Sequence, residues 1–199
     1  AFDGGLLLYD TLGNISYFIK PNLESSQVVI TSWKGLIKSN TLGKPIGDYQ
    51  IIDAMTISND LLLIVHNFNK SYLQLYDSTL NLVSSIEFPQ DLTLNSYTLK
   101  IKRMNDSVLF LLHSRNLFRI SIVNNFFEIL RIATQIADFE IINNDSSTYI
   151  AILENHNNSG ILRILDKFSV EKANARLNIS SINEIEQIGN CIAIKSSYE

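Results

Sequence analysis

The feature that most limits what this chain can fold into is the repeated pairing of turn chemistry with a short apolar run. Asn59-Asp60, Asn105-Asp106, Asn144-Asp145 and Gly189-Asn190 each lead into such a run, at 61–65 (LLLIV), 108–112 (VLFLL), 149–153 (YIAIL) and 192–194 (IAI). The turns begin at 59, 105, 144 and 189, so they recur at intervals of 46, 39 and 45 residues. Nearly continuous apolarity over so few residues is what a strand covered on both faces requires. The interval falls in the range of a four-stranded propeller blade.

The stretch 57–88 shows the unit most clearly. It holds three apolar runs separated by polar turns and reads as successive antiparallel strands. Its strand LQLYD at 73–77 has counterparts in LLLYD at 6–10 and LRILD at 162–166. Each ends in an aspartate (Asp10, Asp77, Asp166) whose carboxylate can accept backbone N–H bonds in the following turn. VVIT at 28–31 joins the set of buried second-strand runs. Four strands per unit follow: 52–57, 61–65, 72–76 and 82–88; then 97–102, 108–112, 117–122 and 126–132; then 139–142, 149–153, 161–165 and 168–173.

The expected fold is therefore all-β, a partial β-propeller with degenerate WD40-like repeats. It has about four to five four-stranded blades, in units of roughly 1–20, 27–50, 51–90, 97–135, 136–176 and 180–199. A two-sheet sandwich is the alternative, and it needs longer sheets and weaker repetition. Two stretches are ambiguous. FFEILRIATQI at 126–136 also fits a helix, with Phe126, Ile129, Leu130 and Ala133 at helical spacing, but it falls where an outer strand belongs. The Ala content of 167–176 weakens a strand there. The chain starts without Met, directly in what reads as a third strand, and ends in a second. It is expected to be part of a longer protein that supplies further blades, and to fold poorly alone.

Composition excludes several function classes. The 199 residues are 46% hydrophobic and 18% charged, in the range of a globular domain with a sizeable core. Only three prolines are present, so Asn, Asp and Ser make the turns. A net charge of −4 argues against a nucleic-acid surface, which needs clustered cations. The densest basic group, Lys100, Lys102 and Arg103, reads as the solvated face of a strand end. A single cysteine, Cys191, excludes an internal disulfide framework and fits a reducing compartment. Asn-x-Ser sequons at Asn14, Asn69, Asn105 and Asn178 arise by chance in a chain this rich in Asn and Ser. No stretch approaches the roughly 20 apolar residues of a spanning helix, and no signal peptide is recognisable.

No residue carries an expectation of catalysis, cofactor binding or metal binding. His66, His113 and Glu154 share one repeat position after the buried second strand and could meet on one rim as metal ligands. Polar ends of buried strands explain them better, since no His-x-x-x-His pair supports coordination. Asp10, Asp77 and Asp166 read as turn caps and not as acids or bases. Cys191 lies in an apolar strand and reads as core, with no histidine partner nearby. Ser114 and Ser121 lack a Gly-x-Ser-x-Gly elbow, and no phosphate-binding loop or dinucleotide fingerprint is present. Trp33 and Tyr72 read as packing residues, with partner anchoring as the alternative.

The order VVITSWKGLIKSN, IDAMTISNDLLLIVHNFNKSYLQLYDSTLNLVSSIEF and RMNDSVLFLLHSRNLFRISI, spanning 27–122, resembles the amino-terminal WD40-like propeller region of the RIC-one (ribosome control) family. That resemblance implies the large subunit of a two-protein complex at the Golgi that exchanges guanine nucleotide on a Rab-type GTPase in retrograde endosome-to-Golgi transport. The implied partners are the second subunit and the GTPase, with peripheral membrane association through the complex. Exchange works by differential binding to nucleotide-free GTPase and not through acid–base side chains, so no catalytic residue transfers to a position here. The Gly-His and Trp-Asp pairs of ordinary WD repeats are absent. The expected role is a non-catalytic interaction scaffold. The alternatives are a scaffold in another large eukaryotic assembly (a vesicle tether, a nuclear-pore coat or a ribosome-assembly complex), or a propeller hydrolase or lectin. The last of these requires convergent carboxylates or aromatics on a central channel.

Overall fold

A computed structural model describes residues 6–9, 15–21, 28–34, 44–45, 50–67, 70–89, 99–144, 147–156, 159–178 and 182–196. Among them every regular element is a strand. The first sheet comprises β1 (Leu6–Tyr9), β2 (Ile15–Pro21), β3 (Val28–Lys34) and β4 (Lys44–Pro45). The second comprises β5 (Gln50–Ile57), β6 (Asp60–Asn67), β7 (Lys70–Tyr76) and β8 (Leu82–Glu87). The third comprises β9 (Lys100–Asn105), β10 (Val108–His113), β11 (Asn116–Val123) and β12 (Phe126–Thr134). The fourth comprises β13 (Ile136–Asn143), β14 (Thr148–His156), β15 (Ser159–Asp166) and β16 (Glu171–Leu177). A last hairpin pairs β17 (Ile182–Ile188) with β18 (Cys191–Ser196). Strand order within each sheet follows the chain. The chain forms two compact units, one of residues 1–97 with 122–127 and one of 98–121 with 128–199.

The second strands behave as their composition demands. Leu61 to Val65 on β6 are each 1% exposed or less, and Leu109, Phe110, Leu111, Ile150, Ala151, Ile152 and Leu153 on β10 and β14 are fully buried. A strand flanked by two others within its sheet, and covered on both faces, has no place for a polar residue until its end. The stretch 126–136 is strand and turn. β12 alternates exposed and half-buried residues from Phe126 to Leu130, a period of two that no helix produces, and Gln135, with φ of 61°, turns the chain into β13. Residues 171–177 likewise form a strand, with its first six residues exposed, which frees it from any apolar pattern.

Three expectations are corrected. The strands β1 to β4 make one sheet, where 1–20 and 27–50 were expected to form separate units; the first strand of that sheet is LLLY and VVIT lies in the third. LLLYD at 6–10 and LQLYD at 73–77 read alike in sequence, so only pairing separates a first strand from a third. Cys191 is exposed, because it opens β18 directly after the Gly189-Asn190 turn, opposite Ile188. Lys100 and Lys102 are not a solvated face, as the geometry below shows.

In the second unit the core is made between sheets. Phe110, Leu112 and Leu117 of the third sheet pack with Phe139, Ile141, Ile150, Ile152 and Leu165 of the fourth. Ala151 and Leu153 of the fourth sheet pack with Ile182 and Ile185 of the last hairpin. Gly160 sits where this second contact is tightest. A Cβ built there would lie 2.1 Å from Ile182 Cδ1 and 3.4 Å from Cγ1. Ile182 is fully buried, and the clash falls on the far end of its side chain. Gly160→Ala is expected to cost about 1–3 kcal/mol through overpacking. Ile182→Val removes the clashing Cδ1, so the double variant is expected to recover part of the loss in urea denaturation. Strict additivity of the two losses would show that the contact is not where the cost arises.

Candidate functional site

The aspartates that end the third strands do the same work in both units. Asp77 Oδ1 accepts the N–H groups of Thr79 and Asn81, each at 2.9 Å, and Asp166 Oδ1 accepts those of Phe168 at 2.9 Å and Val170 at 3.0 Å. In each turn the residue three past the aspartate, Leu80 or Ser169, has positive φ and donates its N–H to the aspartate carbonyl. In each the register of the following pair is shifted by a bulge. Burial pushes the Asp77 carboxyl up, but the Asn81 and Thr79 bonds outweigh it and hold the group below its ordinary value of 3.8. Asp166 is held low chiefly by the Val170 N–H, with Lys172 and Phe168 adding. Asp10 lies outside the described residues.

The sign of the pH dependence follows. A carboxyl with a depressed folded pKa contributes stability that is present above its unfolded pKa and lost as pH falls through the folded value. Asp77→Asn is therefore expected to cost about 1 kcal/mol at pH 6, given the exposure of the turn. At pH 3 the cost should shrink. Denaturation midpoints of wild type and variant at the two pH values measure this. A penalty as large at pH 3 as at pH 6 would assign the effect to something other than the ionised carboxylate.

His66, His113 and Glu154 each have local partners. His66 Nδ1 lies 3.1 Å from Ser71 Oγ, and the buried His113 presents Nε2 to Ser114 Oγ at 2.9 Å. Glu154 takes Arg163 Nη1 at 2.7 Å on one oxygen and His156 Nε2 at 3.1 Å on the other. Arg163 continues to Glu171, Nε to Oε2 at 2.7 Å. Among the described residues no group of three His, Cys, Asp or Glu side chains is arranged to hold a metal ion. Ser121 is buried on β11 and Ser114 is exposed in a turn. Tyr72 is half-buried on β7, and Trp33 lies on β3.

The polar feature that composition did not disclose runs along the first strands. Lys100 and Lys102, two apart on β9, meet Asp138 and Glu140, two apart on β13. Lys100 Nζ donates to Asp138 Oδ1 at 2.7 Å, and Lys102 Nζ bonds both oxygens of Glu140. Both carboxylates are buried, whereas the lysine side chains keep about a third of their surface exposed. A Lys ammonium can keep water on one side while its partner is enclosed. Asp138 Oδ2 also accepts the Ile185 N–H of β17 at 2.9 Å, so one carboxylate binds the first strands on both sides of its own. Arg103, next along β9, turns to Asp106 at 3.5 Å.

The acids at this position, though not their partners, share a pattern in the sequence. Ile51-Ile52-Asp53, Ile136-Ala137-Asp138 and Ile182-Asn183-Glu184 place an acid two residues after an isoleucine at the start of a first strand. At all three the register slips by one residue between the isoleucine and the acid. The bulge re-aims the acid. In the first unit, burial pushes the Asp53 carboxyl up, opposed by the Ala54 N–H that Oδ1 accepts at 2.8 Å.

No protein-family model matches this chain, and no curated protein matches it. Solved structures do. A structure of the Dos1 propeller superposes over 92% of this chain and 64% of its own length, with a TM-score of 0.50 at 14% identity. The chain carries a partial β-propeller fold. Its meandering four-stranded sheets are the blades, β5, β9, β13 and β17 are first strands of their sheets, and β8, β12 and β16 are last strands. The chain thus spans about two thirds of the Dos1 propeller's length. Kluyveromyces lactis Hsv2 superposes over 92% of this chain and 67% of its own, with a TM-score of 0.38 at 8% identity.

Proposed function

We infer that this chain is a non-catalytic interaction module. The observation that carries the reading is the state of the first-strand carboxylates. In a hydrolytic or sugar-binding propeller such groups must converge and remain available to a ligand. Here Asp138 and Glu140 are spent on Lys100, Lys102 and the Ile185 amide, as structural ties between blades. The polar residues that could act chemically, His66, His113 and Glu154, are each bonded within their own hairpin or turn.

The finer reading rests on the resemblance of 27–122 to the RIC-one propeller region. It makes the chain part of the large subunit of a Golgi Rab exchange complex, bound to a second subunit and to a Rab-type GTPase, and peripheral to the membrane through that complex. The test is affinity capture of the full-length protein from cells with magnesium present and with magnesium chelated, followed by mass spectrometry. One stoichiometric partner, joined by a Golgi Rab only after chelation, is the expected result. Recovery of tether, nuclear-pore or preribosomal subunits regardless of magnesium would overturn the exchange reading and leave the interaction module in place.

A further inference from the structure

We propose that the cleft beside the β10–β11 turn is a docking site for an extended peptide segment bearing an acidic side chain. The proposal rests on the reading of the chain as an interaction module and names one of its surfaces. The cleft, of about 340 Å³, lies in the second unit. Its floor includes Ile136 and Ile182, both buried, and its rim carries Ser114, Arg115, Asn155 and Asn183. That volume suits one or two residues of a peptide. The described lining contains one cation, neutral amides and a hydroxyl, and no carboxylate.

Arg115 is the unusual member. Ser114 and Arg115 form a two-residue hairpin turn with φ of 46° and 63°. Such a turn favours Asn or Gly at both positions, as the next hairpin illustrates with Asn124 and Asn125 at 51° and 65°. Holding a long side chain in the left-handed region costs free energy that glycine would avoid. The turn is also fixed in place, because the Arg115 carbonyl accepts the Ile136 N–H of the neighbouring blade at 3.0 Å. Lys100, Lys102, Arg103, Arg163, Lys172 and Lys195 of this unit all have carboxylate partners. Arg115 has none among the described residues, a lack it shares with Arg119 and Arg176, so its place on a left-handed turn is what sets it apart. An exposed guanidinium on a rigid, strained turn, over an apolar floor and beside amide groups, is complementary to a carboxylate carried on an apolar stem.

The decisive variant is Arg115→Gly, which removes the guanidinium and relieves the backbone, so its thermal midpoint is expected to equal or exceed wild type. The probe is a phage-displayed random dodecapeptide library panned on the full-length protein. Wild type is expected to enrich sequences sharing an Asp or Glu beside an apolar residue, and a synthetic peptide from that pool should bind Arg115→Gly at least about tenfold more weakly. Asn155→Ala, on the same rim, should weaken it less, and Arg176→Gln, on the exposed β16, should leave it unchanged. No enrichment, enrichment without a shared acid, or full binding by Arg115→Gly would each overturn the proposal. If affinity capture still returns the same partners with Arg115→Gly, the docking site fails while the interaction module stands.

Discussion

Replacing Phe139 by alanine is expected to cost about 3–5 kcal/mol, the largest loss of any single truncation in the second unit. Phe139 is fully buried on β13, a first strand, and meets Phe110 of the preceding blade with ring centroids 6.5 Å apart and planes tilted by 52°. Tilted pairs of this kind add to plain area burial. Lys100 Nζ lies 5.5 Å from the same ring, so the truncation also removes a face on which the ammonium rests. The surrounding Ile141, Ile150 and Ile152 belong to the same rigid sheet and cannot collapse into the space. Urea denaturation should show the midpoint falling with the slope unchanged. A loss below about 1 kcal/mol would mean that the two sheets are not packed through this ring.

Asp138→Ala should come second, at about 3 kcal/mol. It strands two partners at once, Lys100 on one side and the Ile185 N–H on the other. Breaking an enclosed ion pair costs about 3–5 kcal/mol, and an orphaned buried N–H about 1–3. The total is held down because Lys100 keeps access to water. The paired variant Lys100→Met with Asp138→Ala should lose less than the sum of the singles, by about 1 kcal/mol or more. Additive losses would place the two groups apart.

The parts of the fold that depend on neighbours in sequence were open to reading. The runs 61–65, 108–112 and 149–153 are second strands because nothing polar interrupts them, and Asp77 and Asp166 cap turns because an aspartate two residues before a free N–H has little else to do. Whatever depends on pairing between distant strands was not legible. Lys100 and Asp138 are 38 residues apart, and a lysine two residues from another reads as a wet strand end until the adjoining first strand is in place. The place of residues 6–9 in their sheet is fixed by hydrogen-bonded neighbours, which alternation does not encode. The exposure of Cys191 follows from its position at a turn and not from the apolar residues after it. The need for Gly160 lies wholly in Ile182, more than 20 residues later. Arg115 was invisible because its turn type, and not its side chain, is what sets it apart.

The bond from Ile185 to Asp138 bears on how this molecule breathes. In a hairpin at a sheet margin, amide protons ordinarily exchange with solvent by fraying of that hairpin alone. The Ile185 proton is held instead by a carboxylate on the neighbouring blade. Its exchange is tied to the contact between the two blades, as is that of the Asn143 N–H, which Gln187 Oε1 accepts at 3.1 Å, so these two amides report on the opening of the blades and not only on the loosening of β17.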